Sequence, residues 1–384
     1  MSILESLGVT PIINACGTVT RLSGGTMAPE VMEAMREASL ACVDMAQMQA
    51  AACRVIRTAT GAEAGIVTSG ASAAILLAAA ACLAGLDPAR MNALPDTQDG
   101  RRDAIVVRSQ RNMYDRALVV AGARIVEIGI PDRYSGPGVR DAAAWEIEAA
   151  ITPKTAFVYY LAGPQSRPKL QAVAEVAHAH NLPVIVDAAA QLPPSCNLNR
   201  YLKEGADLVA FSGGKAIGGP QASGILAGRA DLIASALMQM LDLDVFEDSW
   251  SAPAEFEALR QLRGLPHHGI GRSCKVGKEE IAGLCVALQR FAAADPKARR
   301  AAWDSRLRLL GENLTIAPGP IPTAALQLPS EADAMRVARA LAVGTPPIHC
   351  GLGRREEGIL LFNPVAMTDA QAVQVGQRLK ELLP

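Results

Sequence analysis

The sequence predicts an α/β protein, with a mainly parallel sheet covered by helices on both faces in a large domain, followed by a smaller α+β C-terminal domain. Three observations lead there. Short apolar runs alternate with helical patterns from residue 62 to residue 228, the rhythm of parallel strands joined by crossover helices. Two of those runs, at 184–187 and 206–212, end in an acid and in a lysine flanked by glycine pairs, the kind of residues found where such sheets meet their ligands. Beyond residue 250 the pattern shifts to longer helices with a few short strands. At 384 residues, 50% of them hydrophobic, the chain can bury a large core. The expected division is an N-terminal segment 1–20, a large domain 21–250 and a small domain 251–384.

In order, residues 1–13 read as a short helix leading into an extended stretch at 9–13. The Gly- and Thr-rich stretch 14–26 reads as an ordered loop, because it runs directly into Pro29 and a helical pattern on Val31, Met32, Met35 and Ala38. A helix over 45–60 stops at Gly61, and 64–68 is a short strand. Ser69-Gly70-Ala71-Ser72 then opens an alanine-rich helix whose apolar run, 73–86, is too short to cross a bilayer and reads as buried. A strand, a glycine turn and a helix start expose free N–H groups, an anion site by backbone geometry; Ser69 or Ser72 as a plain N-cap is the competing reading.

Residues 87–102 form a polar, proline-containing excursion, and 104–107 a strand. The following Arg108-Ser109-Gln110-Arg111-Asn112-Met113-Tyr114-Asp115 leads into a helix closing at Gly122, with Tyr114 open to either core packing or ligand contact. A strand at 124–128, a loop around Gly136-Pro137-Gly138, a helix over 142–151 and a strand at 156–160 come next. Gly163-Pro164-Gln165-Ser166 sits at the end of that strand, where Gln165 or Ser166 can reach a ligand. A helix from Leu170 carries His178 and His180, which share no face and make a poor metal pair. A turn-rich link joins 184–187 to 206–212. Helices follow at 230–241, 254–262, 278–293, 298–312, 331–341 and 369–383, with an acidic, Trp250-bearing connection at 242–253 and short strands at 323–328, Ile348 and 359–362.

A formal net charge of −1 offers no general attraction to nucleic acid or to an anionic membrane, so neither is expected as a partner. The N-terminus lacks a basic stretch followed by an apolar one, which argues against secretion by that route. The eight cysteines form no C-x-x-C pair and several lie in apolar runs, as reduced thiols of a cytoplasmic protein do; no metal site is expected.

The chemistry concentrates at Asp187 and Lys215. A crossover would bring both strand ends to one sheet edge, where they read either as a buried ion pair or as working groups. Gly213, Gly214, Gly218 and Gly219 permit close approach of backbone to a ligand, and Ser212 adds a hydroxyl. A partly desolvated lysine is the group that forms a Schiff base with a carbonyl, and pyridoxal phosphate enzymes pair it with an acid at the pyridine nitrogen.

The runs Val186-Asp187-Ala188-Ala189-Ala190 and Gly205-Ala206-Asp207-Leu208-Val209-Ala210-Phe211-Ser212-Gly213-Gly214-Lys215-Ala216-Ile217-Gly218-Gly219-Pro220-Gln221-Ala222-Ser223-Gly224 resemble fold-type I pyridoxal phosphate enzymes of the seryl-tRNA(Sec) selenium transferase superfamily, most closely the D-glucosaminate-6-phosphate ammonia-lyase-like branch. The likeness runs from Ile12-Ile13-Asn14-Ala15-Cys16-Gly17-Thr18 into the C-terminal domain. It implies a seven-stranded-type sheet, pyridoxal 5'-phosphate on Lys215 as a Schiff base, and Asp187 at the pyridine nitrogen. It further implies cofactor contacts from Ser69, Gly70, Ala71, Ser72, Gln110, Gln165, Ala189, Ser212 and Arg272, and substrate contacts from Arg354 and from Thr20 in a substrate-gating loop. Gln110 departs from the histidine or aromatic residue that usually stacks on the ring. The implied enzyme is a lyase that eliminates a β-leaving group from an amino acid or amino sugar acid, giving a 2-oxo acid and ammonia, as a homodimer or larger even-numbered oligomer. Racemase, aldolase and transferase chemistry share its first steps, and a silent regulator with the same fold is the non-enzyme alternative. Selenium transfer ranks low, since members that perform it are longer and carry an N-terminal tRNA-binding portion.

Overall fold

The computed structural model describes residues 2–97, 100–130 and 141–383; the loop expected at 136–138 lies outside the described residues. In chain order the strands are β1 (Ile13–Ala15), β2 (Ala64–Thr68), β3 (Asp103–Val107), β4 (Arg124–Ile128), β5 (Thr155–Leu161), β6 (Val184–Asp187), β7 (Leu208–Ser212), β8 (Gly224–Gly228), β9 (Thr315–Ala317), β10 (Thr323–Gln327), β11 (Ile348–Arg354) and β12 (Ile359–Phe362). The chain forms two compact units, Ala28–Ala292 and, together, Met1–Met27 with Ala293–Pro384. The sequence-based division at 250/251 falls inside the larger unit. The reason is the helix Lys278–Ala293, which buries Ile281, Leu284 and Leu288 and brings Leu284 beside Gly213 and Gly219.

In the larger unit a seven-stranded sheet runs β2-β8-β7-β6-β5-β3-β4. β3 to β7 pair in parallel, and β8 runs antiparallel to both β7 and β2. β2, β3, β6 and β8 are buried along their whole length, as strands with helices on both faces must be, which is why β2, β3 and β6 read as short apolar runs. The helix Ala71–Ala84 is apolar all round and almost wholly buried. The helix Met45–Thr60 starts on Asp44, whose carboxylate accepts from the Gln47 N–H at 2.8 Å, and ends on Gly61 in the left-handed region. From its buried face Gln49 bonds both backbone groups of Val67, donating to the carbonyl at 2.8 Å and accepting from the N–H at 2.9 Å.

Several local expectations give way to tertiary context. The excursion at 87–102 holds a helix, Pro88–Ala93, started by Asp87, and the turn-rich link holds the helix Asn197–Lys203. Residues 254–261 form a 3₁₀ segment kinked at Phe256 rather than an α-helix. Strands β8 and β9 had no expectation attached to them. In the smaller unit the sheet order is β1-β11-β12-β10-β9, with β1 parallel to β11 and the other pairs antiparallel. Its core joins Ile13, Leu326, Leu360 and Phe362 to Val337, Leu341, Val375 and Leu379 from two helices, Glu331–Ala342 and Asp369–Leu382. Among the described residues no helix is long and apolar enough to cross a membrane.

Candidate active site

The strand register of the larger unit builds one sheet edge. Thr68 of β2 lies opposite Gly224 of β8, which lies opposite Ser212 of β7; Asp187 of β6 pairs with Ala210 on one side and Leu161 of β5 on the other. Asp187 is only 4% exposed. Its Oδ1 accepts from the Ala189 N–H at 2.9 Å and its Oδ2 from the Tyr159 hydroxyl at 3.1 Å. Each carboxylate oxygen thus keeps a lone pair for a further donor. Burial pushes the Asp187 carboxyl above the usual carboxylate range, while the Ala189 N–H, the Tyr159 hydroxyl and the Lys215 charge pull it back.

Lys215 is half-buried on the turn after β7. Burial lowers its ammonium below the ordinary lysine value of 10.5, against the opposing pull of Asp187. Backbone bonds fix that turn: Gly213 N–H to the Ser223 carbonyl at 2.9 Å, Gly219 N–H to the Gly213 carbonyl at 2.9 Å, and Gly218 N–H to the Lys215 carbonyl at 3.0 Å. A basic amine at lowered pKa and a fixed carboxylate therefore share one edge, a pair able to move a proton and to hold one.

Beside them the chain leaves β2 through Ser69 and Gly70. Gly70, at φ +129°, precedes the helix Ala71–Ala84, whose first turn leaves N–H groups without intrahelical acceptors. The Thr68 hydroxyl donates to the Gly70 carbonyl at 2.9 Å, and the Ser69 hydroxyl to the Cys274 carbonyl at 2.8 Å. Ser72 is exposed on that first turn, and Ala189 and Ser212 are half-buried.

The remaining predicted residues fall in different settings. Gln110 is buried, and its amide bridges backbone at the end of β5, accepting from the Leu161 N–H at 3.0 Å and donating to the Arg167 carbonyl at 3.1 Å. Gln165 is exposed, and Tyr114 is 53% exposed, so Tyr114 packs in no core. Arg272 pairs with Asp242 through two guanidinium nitrogens, which hold that carboxyl down to about 2. The two line a cleft of about 420 Å³ together with Ser69, Gln49, Trp250 and Lys275. In the smaller unit, Thr20 is exposed at the start of the 3₁₀ turn Thr20–Leu22, and exposed Arg354 forms a two-nitrogen pair with Glu357 at 2.9 and 2.5 Å. His178 bonds Asp207 at 2.8 Å. Tyr159 is the site residue that sequence reasoning missed. Its signal is a polar aromatic within an apolar strand, since a buried tyrosine hydroxyl needs a partner.

A sheet of this order, with a helix start and a lysine turn meeting at the edge where its parallel strands end, is that of a fold-type I pyridoxal phosphate enzyme. The residues present fit that cofactor: a backbone cradle for an anion, an amine of lowered basicity, and a fixed buried carboxylate with lone pairs to spare. Residues 113–245 match the family model of L-seryl-tRNA selenium transferase, SelA. The chain is 32% identical to a D-glucosaminate-6-phosphate ammonia lyase of Salmonella typhimurium, over 76% of this chain and 70% of the relative. It is 30% identical to a 5'-C-glycyluridine monooxygenase-decarboxylase of a Streptomyces species, over 99% of this chain and 91% of the relative. A solved D-glucosaminate-6-phosphate ammonia-lyase superposes with a TM-score of 0.80 at 27% identity, covering 100% of this chain and 98% of that one. The chain belongs to the seryl-tRNA(Sec) selenium transferase superfamily, on the branch of D-glucosaminate-6-phosphate ammonia-lyase; it is a pyridoxal phosphate enzyme with lyase-type chemistry.

Proposed function

We propose that this enzyme eliminates a β-leaving group from an amino acid or amino sugar acid, releasing ammonia and a 2-oxo acid. The observation that carries this reading is the half-buried Lys215, whose ammonium is disfavoured by burial beside the fixed carboxylate of Asp187. Such an amine, less readily protonated than an ordinary lysine, can take the substrate's Cα proton. Pyridoxal phosphate supplies an electron sink for the charge that then develops at Cα. Asp187 keeps a proton on the pyridine nitrogen by its negative charge. The first-turn N–H groups at Gly70, Ala71 and Ser72 hold the phosphate, with help from Ser69, Ser212 and Arg272. Gln110, held by backbone groups at the end of β5, presents the face of its amide to the ring, with Gln165 and Ala189 as further cofactor contacts. Arg354 and Thr20 are the substrate contacts that the family resemblance implies, Arg354 because a guanidinium can hold a carboxylate through two nitrogens.

We further propose that the enzyme works in the cytoplasm on a small-molecule substrate, as a homodimer or larger even-numbered oligomer. Elimination is favoured over racemisation, retro-aldol cleavage and transfer by the likeness to an ammonia-lyase along the whole chain. The test is to incubate purified holoenzyme with D- and L-β-hydroxy amino acids and amino sugar acids, measuring ammonia and 2-oxo acid together. Equal yields of the two support the reading; conversion without ammonia contradicts it. A second reading, oxidative decarboxylation, has the Streptomyces relative in its favour. It requires carbon dioxide release and oxygen uptake, the second of which an oxygen electrode detects in the same samples.

A further inference from the structure

We propose that Tyr159 is a positioning residue that acts through Asp187, holding its carboxylate charged and aimed at the pyridine nitrogen. The inference deepens the reading above and rests on it for the carboxylate's role. Leu161 of β5 lies opposite Asp187 of β6, and Tyr159 is two residues earlier on β5, hence on the same face of the sheet. Its ring lies along that face, 1% exposed, and delivers the hydroxyl to Oδ2 at 3.1 Å. The other oxygen is held by the Ala189 N–H at 2.9 Å. Two donors on two different oxygens fix the carboxylate plane, which one donor alone would leave free to rotate.

The energetic need for the second donor follows from burial. A carboxylate this deep is driven toward its neutral form, and a neutral acid beside a pyridine nitrogen would not favour the protonated ring. The groups facing Asp187 are few: the Ala189 N–H, the Tyr159 hydroxyl and the Lys215 charge. Were the Lys215 amine engaged by the cofactor, its ammonium would no longer face Asp187, and the two hydrogen bonds would remain of these. Tyr159 is in turn held as a neutral donor, because burial and the charges of Asp187 and Asp115 push its hydroxyl far above the usual phenol range.

The test is Tyr159→Phe, followed first in the apoprotein by ¹³C-carboxyl NMR of Asp187. Removing a hydrogen bond to a charged group should raise the Asp187 titration midpoint by about one pH unit. In the holoenzyme turnover should then fall about tenfold with KM within about twofold, since the charge matters most in the transition state. A residue serving only to fill the core would lower thermal stability and leave the Asp187 midpoint unmoved, and an unmoved midpoint overturns the proposal. If the phenylalanine variant fails to fold, 3-fluorotyrosine at position 159 keeps the shape and strengthens the donor, so the midpoint should move down; no movement overturns the proposal equally. A shifted midpoint with unchanged turnover leaves the Tyr159 contact standing and removes Asp187 from the reaction, so the two failures are distinguishable.

Discussion

Gly224 stands so close to Gly70 that a Cβ built on it would lie 2.4 Å from the Gly70 carbonyl carbon and 2.7 Å from the Ala71 nitrogen. Both contacts are to backbone, so nothing flexible can yield. The first residue of β8 therefore defines the shape of the turn that carries the N–H groups proposed to hold the cofactor phosphate. Gly224→Ala should push the 70–71 backbone aside and weaken pyridoxal phosphate binding by at least about tenfold, about 1.4 kcal/mol. Equilibrium dialysis of the apoprotein against the cofactor measures it. The variant should also melt earlier than wild type, by an amount the same preparation gives in a thermal scan.

Gln110 supplies a different kind of support. Its amide satisfies the Leu161 N–H and the Arg167 carbonyl in a buried setting. Gln110→Ala strands both groups, and the loss should be about 2–4 kcal/mol in urea unfolding of the apoprotein. A histidine there would satisfy fewer of these bonds, so Gln110→His should also be less stable than wild type.

The lowered basicity of Lys215 makes a pH prediction with a definite sign. A lysine whose folded-state pKa lies below 10.5 contributes stability that is present above 10.5 and is lost as pH falls through the folded value. Below that value the native apoprotein carries the cost of a desolvated ammonium. The neutral amine is correspondingly more abundant near pH 8 than in an ordinary lysine. The rate at which apoprotein captures pyridoxal phosphate, followed by visible absorbance, should rise with a midpoint below 10.5. In Asp187→Asn the carboxylate no longer favours the ammonium, so the midpoint should drop further.

Asp187→Asn also separates cofactor binding from chemistry. Asparagine keeps the shape: its single carbonyl oxygen can accept from the Ala189 N–H, while its NH2 donates to the Tyr159 oxygen. What it lacks is the charge that favours the protonated ring after Cα–H cleavage. The variant should bind the cofactor on Lys215 and turn over at least a hundredfold more slowly, about 2.7 kcal/mol. Steady-state assay of ammonia release at matched cofactor occupancy gives the ratio.

The parts of this molecule that were legible in its sequence are those where local chemistry and tertiary packing agree. The helix ending on Gly61 and the strands at 64–68 and 124–128 have the limits that glycine punctuation and apolar runs imply. β8 was not legible, because its residues are few, small and bounded by glycine, and only pairing with β7 and β2 makes them a strand. The helix Asn197–Lys203 follows two prolines and a serine that read as turns, yet Leu198 and Tyr201 find a core to bury against. At the site, Lys215 and Asp187 announce themselves through the residues around them. Tyr159 does not, because its role depends on strand register across 28 residues of sequence. Arg272 shows the same limit from the other side, since its acidic partner Asp242 lies 30 residues away in sequence, whereas Arg354 pairs with Glu357, the neighbour that reads equally as its surface partner.

The central claim is that Lys215 carries the cofactor covalently. Purified holoenzyme should absorb in the visible, lose that band on treatment with borohydride, and yield on digestion one pyridoxyl-labelled peptide containing Ser212-Gly213-Gly214-Lys215. Lys215→Ala should show neither the band nor the label. A label on any other lysine, or none at all with cofactor bound, would contradict the account.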